Sequence, residues 1–242
     1  MKTRNCIVLF ISTTGAISTA IASPPEHTVS LGNRLEDVRD FSGPSVIETK
    51  QGDCSYSLSL GDHQHAQYDD PDIVIYEAPS KINRNSTPYL WQAESATGYD
   101  WAFKNPGNPE LKWFGLMCES KENFPFSMTN EDDLPPEYRE ILESNSLKCP
   151  ADFRNGRFVI KPSMAGDNSY IFQRLSENNW EGVLVLHKQK GKENYDQIRF
   201  CLVHEGVVLI GTSENEEPAP SIDKNFAEDL AKIIKTVNFK NH

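Results

Sequence analysis

Beyond residue 22 the sequence has no apolar run approaching the roughly 18 residues that a membrane-spanning helix needs, which predicts a soluble mature chain. It also has few signs of catalysis. There is no G-x-S-x-G, and Gly211-Thr212-Ser213 lacks both the flanking glycine and the strand-to-helix elbow of a nucleophilic serine. There is no H-E-x-x-H, since His204-Glu205-Gly206 ends a strand at a turn. Cys201 and His204 are three apart on a predicted strand and so point to opposite faces. No cysteine spacing is the C-x-x-C of a redox or zinc motif. Neither a Gly/Ser linker nor an internal repeat divides the chain, so residues 35–242 are expected to form one domain.

What the chain does have begins with its first segment, MKTRNCIVLFISTTGAISTAIASPP. Lys2 and Arg4 precede an uncharged, mostly apolar stretch, and Ala20 and Ala22 are small residues spaced for a signal peptidase. This predicts a signal peptide over residues 1–22, an exported (periplasmic or secreted) product, and a flexible N-terminus over 23–34. Losing Lys2 and Arg4 lowers the 24 basic residues to 22 against 35 acidic, a balance of −13. Such a surface repels phosphates, which excludes nucleic acid as a natural partner, and suits a basic protein instead.

Four cysteines remain after the signal, an even number in an exported chain and consistent with two disulfides. Three pairings are possible. Cys118 and Cys149 flank one helix-containing segment and Cys54 and Cys201 sit in strand-like alternations, which favours 118–149 and 54–201.

The pattern along the chain predicts an α+β fold. DCSYSLSLG places Cys54, Tyr56, Leu58 and Leu60 on one side, the period of two of a half-buried strand, and DIVIYEAP follows as another. Between them GDHQHAQYDDP is expected to be a hairpin connection, punctuated by Gly61 and Pro71. An aromatic-rich β region over 79–150 includes the strands YDWAFK and LKWFGLMC and a short helix in LPPEYREILES, with a carboxylate cap and Tyr138, Ile141 and Leu142 on one face. From 151 to 239 five strand candidates at close spacing imply an antiparallel β-meander. A C-terminal amphipathic helix follows, with Ile222, Phe226, Leu230, Ile233 and Val237 on one face, expected to cover that meander. Ser221 is its expected N-cap.

Three groups of residues could carry function. His63 and His65, with Asp69, Asp70 and Asp72, have the types and proximity of a zinc or copper site, but side chains in a turn need not converge and no sulfur ligand or third histidine lies nearby, so a solvated turn is the simpler reading. Trp91, Trp101 and Trp113 could stack sugar rings of a wall glycan, or be core. Glu131, Asp132 and Asp133, and Glu214, Glu216 and Glu217, form acidic clusters in predicted loops that could steer toward a basic partner.

A strand ending in glycine, VVLIGTS, then an acidic loop, then FAEDLAKIIKTVNF closing on a short β-like tail, resembles the C-terminal half of Mog1/PsbP-like α/β sandwiches over roughly residues 150–239. Exported bacterial immunity proteins of contact-dependent, type VI-like toxin systems have this look. The resemblance implies a binding role without catalysis or cofactor: a periplasmic immunity or inhibitor protein that occludes a toxic effector. The competing expectations are a cell-wall glycan-binding protein and a metal-binding or hydrolytic enzyme.

Overall fold

The structure is a computed structural model. It describes residues 27–95, 98–105, 108, 110–127, 135–188, 191, 193–214 and 222–240; the expected signal peptide, 1–22, lies outside them. In chain order the strands are β1 (Thr28–Leu31), β2 (Asp40–Ser42), β3 (Ser45–Gln51), β4 (Cys54–Leu60), β5 (Gln64–Asp69), β6 (Asp72–Glu77), β7 (Tyr89–Ser95), β8 (Gly98–Lys104) and β9 (Lys112–Ser120). Helix α1 (Pro136–Lys148) precedes β10 (Ala151–Arg154), β11 (Arg157–Ile160), β12 (Tyr170–Glu177), β13 (Trp180–Lys188), β14 (Tyr195–His204) and β15 (Val207–Glu214). Helix α2 (Lys224–Lys235) and β16 (Asn238–Phe239) close the chain. The fold is thus mostly β-sheet with two α-helices.

Its centre is an eight-stranded sheet in the order β12-β13-β14-β15-β9-β6-β5-β2. The predicted meander supplies only half of it, β12 to β15, while β2, β5, β6 and β9 come from the first half of the chain. A division near residue 150 would therefore cut through one sheet. The candidate strand at GRFVIKP does not join it and pairs with β10 in a separate hairpin.

Both faces of this sheet are buried, and side-chain alternation sorts its residues between them. Along β9, Phe114 and Leu116 enter one core and Trp113 and Met117 the other; along β15, Leu209 enters the first and Val208 and Ile210 the second. That explains why the central strands read as unbroken apolar runs such as VLVL and VVLI. Glycine allows close approach on each face: a Cβ at Gly211 would stand 1.9 Å from the Phe200 ring, and one at Gly115 would stand 2.3 Å from the Phe103 ring.

The first core is shared with a four-stranded sheet, β1-β3-β4-β16, and with α2. Phe226, Ala227, Leu230, Ile233 and Ile234 of α2 are buried in it. The helix is capped by Asp223, whose carboxylate accepts from the Phe226 N–H at 2.8 Å, rather than by Ser221. Trp180 Nε1 donates to the Val237 carbonyl at 2.8 Å and ties the end of this segment to β13. The second core lies under a layer made of the β7–β8 hairpin, α1 and the β10–β11 hairpin.

Two sequence expectations change here. Residues 28–31, inside the stretch expected to be flexible, form β1, which pairs in parallel with β3 and buries Leu31; four residues of alternating character suffice once a neighbouring strand supplies the hydrogen bonds. The expected hairpin loop at 61–71 contains β5, a strand buried from Gln64 to Tyr68. Gly61 to His63 turn the chain from β4 in the small sheet to β5 in the large one, so β4 and β6 are not hairpin partners.

Both disulfides differ from the favoured pairing: they are Cys54–Cys118 and Cys149–Cys201. Cys54 at the start of β4 joins the four-stranded sheet to β9, and Cys149 at the end of α1 joins the opposite layer to β14. Each layer is fastened to the central sheet once. Proximity along the sequence misled the expected pairing, because Cys118 belongs to the first core and Cys149 to the second.

Candidate protein-binding face

Helix α1 is mounted on the sheet by polar groups. Its buried residues include Ser144, Asn145 and Lys148 as well as Leu142. Trp101 Nε1 donates to Asn145 Oδ1 at 3.0 Å, Asn145 Nδ2 donates to the Asn123 carbonyl at 3.1 Å, and the Ser144 hydroxyl donates to Asp100 Oδ1 at 2.9 Å. At the C-terminus the Arg199 guanidinium donates to the Leu147 carbonyl, one of the last-turn acceptors that a helix leaves open. The same guanidinium donates through Nε and Nη2 to Glu214 Oε2 at 2.9 and 2.6 Å, and Lys148 Nζ stands 3.4 Å from Glu214 Oε1. Burial by itself would raise the Glu214 carboxyl; Arg199 and Lys148 outweigh it and hold it below the usual carboxylate range.

With polar residues turned inward, α1 turns apolar ones outward. Tyr138 is 54% and Leu147 57% exposed, which leaves them on the outer surface of the layer. The expected carboxylate cap is also not seen: Pro135 occupies the N-cap position without a side-chain hydrogen bond. Beside the helix lies a groove of about 410 Å³ lined by Pro125, Arg139, Leu142, Glu143, Ser146 and Leu147.

The β7–β8 hairpin presents a similar outer face. Trp101 and Phe103 point inward to the second core, with Leu90 packed against it, while Tyr89 and Trp91 alternate outward and remain 44% and 36% exposed. Lys104, paired across from Tyr89, holds its ammonium 3.9 Å from the Trp91 ring centroid. Among the described residues, four of the seven exposed large hydrophobics, Tyr89, Trp91, Tyr138 and Leu147, lie on this one layer.

The residues singled out by sequence separate accordingly. Trp101 and Trp113 are fully buried, which leaves Trp91 as the exposed member of that trio. Glu214 sits inside the ion cluster under α1, so its charge is already matched. Glu131, Asp132, Asp133, Glu216 and Glu217 lie outside the described residues.

His63 and His65 do not converge. His63 occupies the exposed corner between sheets at φ 61°. His65 is buried and stacks on Tyr76 with centroids 5.0 Å apart. The Ala78 carbonyl, 3.0 Å from His65 Nε2, can only accept, so Nε2 carries the proton and Nδ1 accepts from the Ser42 hydroxyl at 2.8 Å. Both ring nitrogens are thereby engaged. Asp72 is buried where β6 starts, and desolvation, with Asp69 and Asp70 nearby, pushes its carboxyl up to about 7. Among the described residues no group of three or more His, Cys, Asp or Glu is arranged to hold a metal ion, and no helix is long and apolar enough to cross a membrane.

Tyr89 and Leu147 were not among the expected site residues, and Tyr138, expected on the same face as Leu142, is exposed while Leu142 is buried. Tyr89 and Trp91 at i and i+2 share a strand face, a signal that was available; the outward turn of α1 was not, because its apolar residues give no hint that the polar side is the buried one. No protein-family model matches the chain, and no curated protein or solved structure matches it either.

Proposed function

We propose that this chain is an exported, non-enzymatic protein that binds another protein, acting as an immunity or inhibitor factor that occludes a basic toxic effector in the periplasm. The observation that carries this reading is the gathering of Tyr89, Trp91, Tyr138 and Leu147 on the outer side of one layer. Exposed aromatic and aliphatic residues next to a groove are what protein interfaces use as anchors. The surplus of acidic residues supplies steering toward a basic surface. Two disulfides suit an oxidising compartment.

The test is protection. A strain lacking the gene should be killed by a toxin-armed parent and rescued by the wild-type chain, whereas Leu147→Asp with Trp91→Ala should fold and export normally yet fail to rescue. Survival of the deletion strain would sink the immunity reading. One observation favours a second reading: Tyr89 and Trp91 side by side on a strand could stack sugar rings of wall glycan. Retention on purified peptidoglycan that Trp91→Ala abolishes, with no loss of protection, would select it.

A further inference from the structure

The two ends of the eight-stranded sheet are finished differently. At one end β2 has three residues, and the Lys81 ammonium donates to the Asp40 carbonyl at 3.1 Å. At the other, β12 runs for eight residues with no other described strand on its outer side, and five of the eight are exposed. Edges of this length are normally blunted by prolines, bulges or inward charges, because they template pairing with another chain; β12 has no proline, and its ladder with β13 runs from Tyr170 to Glu177 without a bulge.

We infer that β12 pairs with β12 of a second copy of this chain, antiparallel about a two-fold axis at Gln173, so that two sheets become one. Three observations single out the second copy and this register. Lys188 N donates to the Ser169 carbonyl at 2.8 Å, which makes the odd-numbered residues of the ladder face β13 and turns the N–H and C=O groups of Phe172, Arg174 and Ser176 outward, together with the Tyr170 C=O, whose own N–H donates to the Asp167 carbonyl at 3.3 Å. A two-fold axis perpendicular to the sheet keeps each core face on its own side, which restricts the pairing to registers centred on a residue. Centred on Gln173, the strand is self-complementary: Ile171, 42% exposed, meets Leu175 on one face, Phe172 meets Arg174 in a cation–π pair on the other, and Tyr170 meets Ser176. Centred on Arg174, two guanidinium groups would oppose one another and Ile171 would face Glu177. The Gln173 register makes about six backbone hydrogen bonds, and places Gln173 opposite its own copy in a non-hydrogen-bonded pair with Cα atoms about 4.5 Å apart.

That last geometry gives a direct test, independent of what the other face binds, on the mature full-length chain with its native disulfides intact. A Gln173→Cys variant should form a covalent dimer on mild oxidation, since the Cα separation falls within the disulfide range of roughly 4.4–6.8 Å. Glu177→Cys, which this register places opposite Ser169, should stay uncrosslinked. By sedimentation equilibrium the wild type should dimerise with rising concentration. Arg174→Pro, which removes an outward N–H without touching the ladder to β13, should sediment as a folded monomer. A wild type that remains monomeric at its solubility limit, or equal crosslinking of Gln173→Cys and Glu177→Cys, would overturn the inference.

Discussion

The two helices are held by opposite means. Helix α2 buries five apolar side chains, Phe226, Ala227, Leu230, Ile233 and Ile234, and keeps its charges outward, with Lys232 and Lys235 in the last turn where the helix dipole favours them. Helix α1 buries Ser144, Asn145 and Lys148, exposes Tyr138 and Leu147, and is fixed by hydrogen bonds, the Arg199–Glu214–Lys148 cluster and a covalent bond to β14. A helix held by apolar burial has no apolar surface left to offer, whereas one held by polar groups and a disulfide can spend its apolar residues on a partner. The contrast separates a layer packed by apolar contact from one held by polar groups that leaves apolar residues exposed.

The sharpest way to break this contrast is to cut the covalent tie. Replacing Cys149 and Cys201 together by serine opens a loop of 52 residues, which in the chain-entropy account costs about 4 kcal/mol. Urea unfolding should show that loss, and native-state hydrogen exchange should show α1 amides losing protection while those of α2 keep it. Equal loss in both helices would mean that α1 is not separately mounted.

Leu230→Ala tests the other side. It removes a fully buried side chain from the first core and should lower stability by about 3 kcal/mol in urea, with the polar mounting of α1 unaffected in folded protein.

Glu214→Gln should cost about 2 kcal/mol near neutral pH, because Arg199 and Lys148 remain confined under α1 without their counter-charge. Its carboxyl is lowered in the folded state, so its contribution is present above the unfolded carboxylate range and lost as pH falls through the folded value. The variant and wild type should therefore converge in acid.

Asp72 has the opposite sign. Its folded carboxyl is pushed up to about 7 while the unfolded one titrates near 4, so folding retains a proton that the unfolded chain releases. Stability is penalised increasingly as pH rises from the unfolded value to the folded one, and Asp72→Asn should relieve up to about 4 kcal/mol above pH 7 and nothing below about pH 4. Thermal melts across that range would show it.

Much of this was legible in the residues. The alternation in DCSYSLSL and the three-and-four spacing from Ile222 to Val237 report burial directly, because in each case one face meets one apolar surface. The continuous runs VLVL and VVLI were recognisable as strands, but a run buried on both faces carries no mark of which neighbours it pairs with, and so the contribution of β2, β5, β6 and β9 to the same sheet stayed hidden. GDHQHAQYDDP looked like a loop because β5 is polar in composition; Gln64, His65 and Gln67 are buried through hydrogen bonds to Glu77, Ser42, Ala78 and Thr87 rather than by apolar contact. The candidate face was half legible, through Trp91 alone.

The order of residues by itself determined the alternating strand at 54–60, the apolar strands of the meander, the amphipathic closing helix and the acidic balance, and pointed to two disulfides among four cysteines, since each of these depends on local spacing or on counting. Which cysteine meets which, which tryptophans face water and which side of α1 turns inward were decided only when the chain assembled two layers around one sheet. Those outcomes depend on contacts between residues 50 or more apart in sequence, and the free energy that selects among them comes from surfaces that do not exist until the sheet has formed.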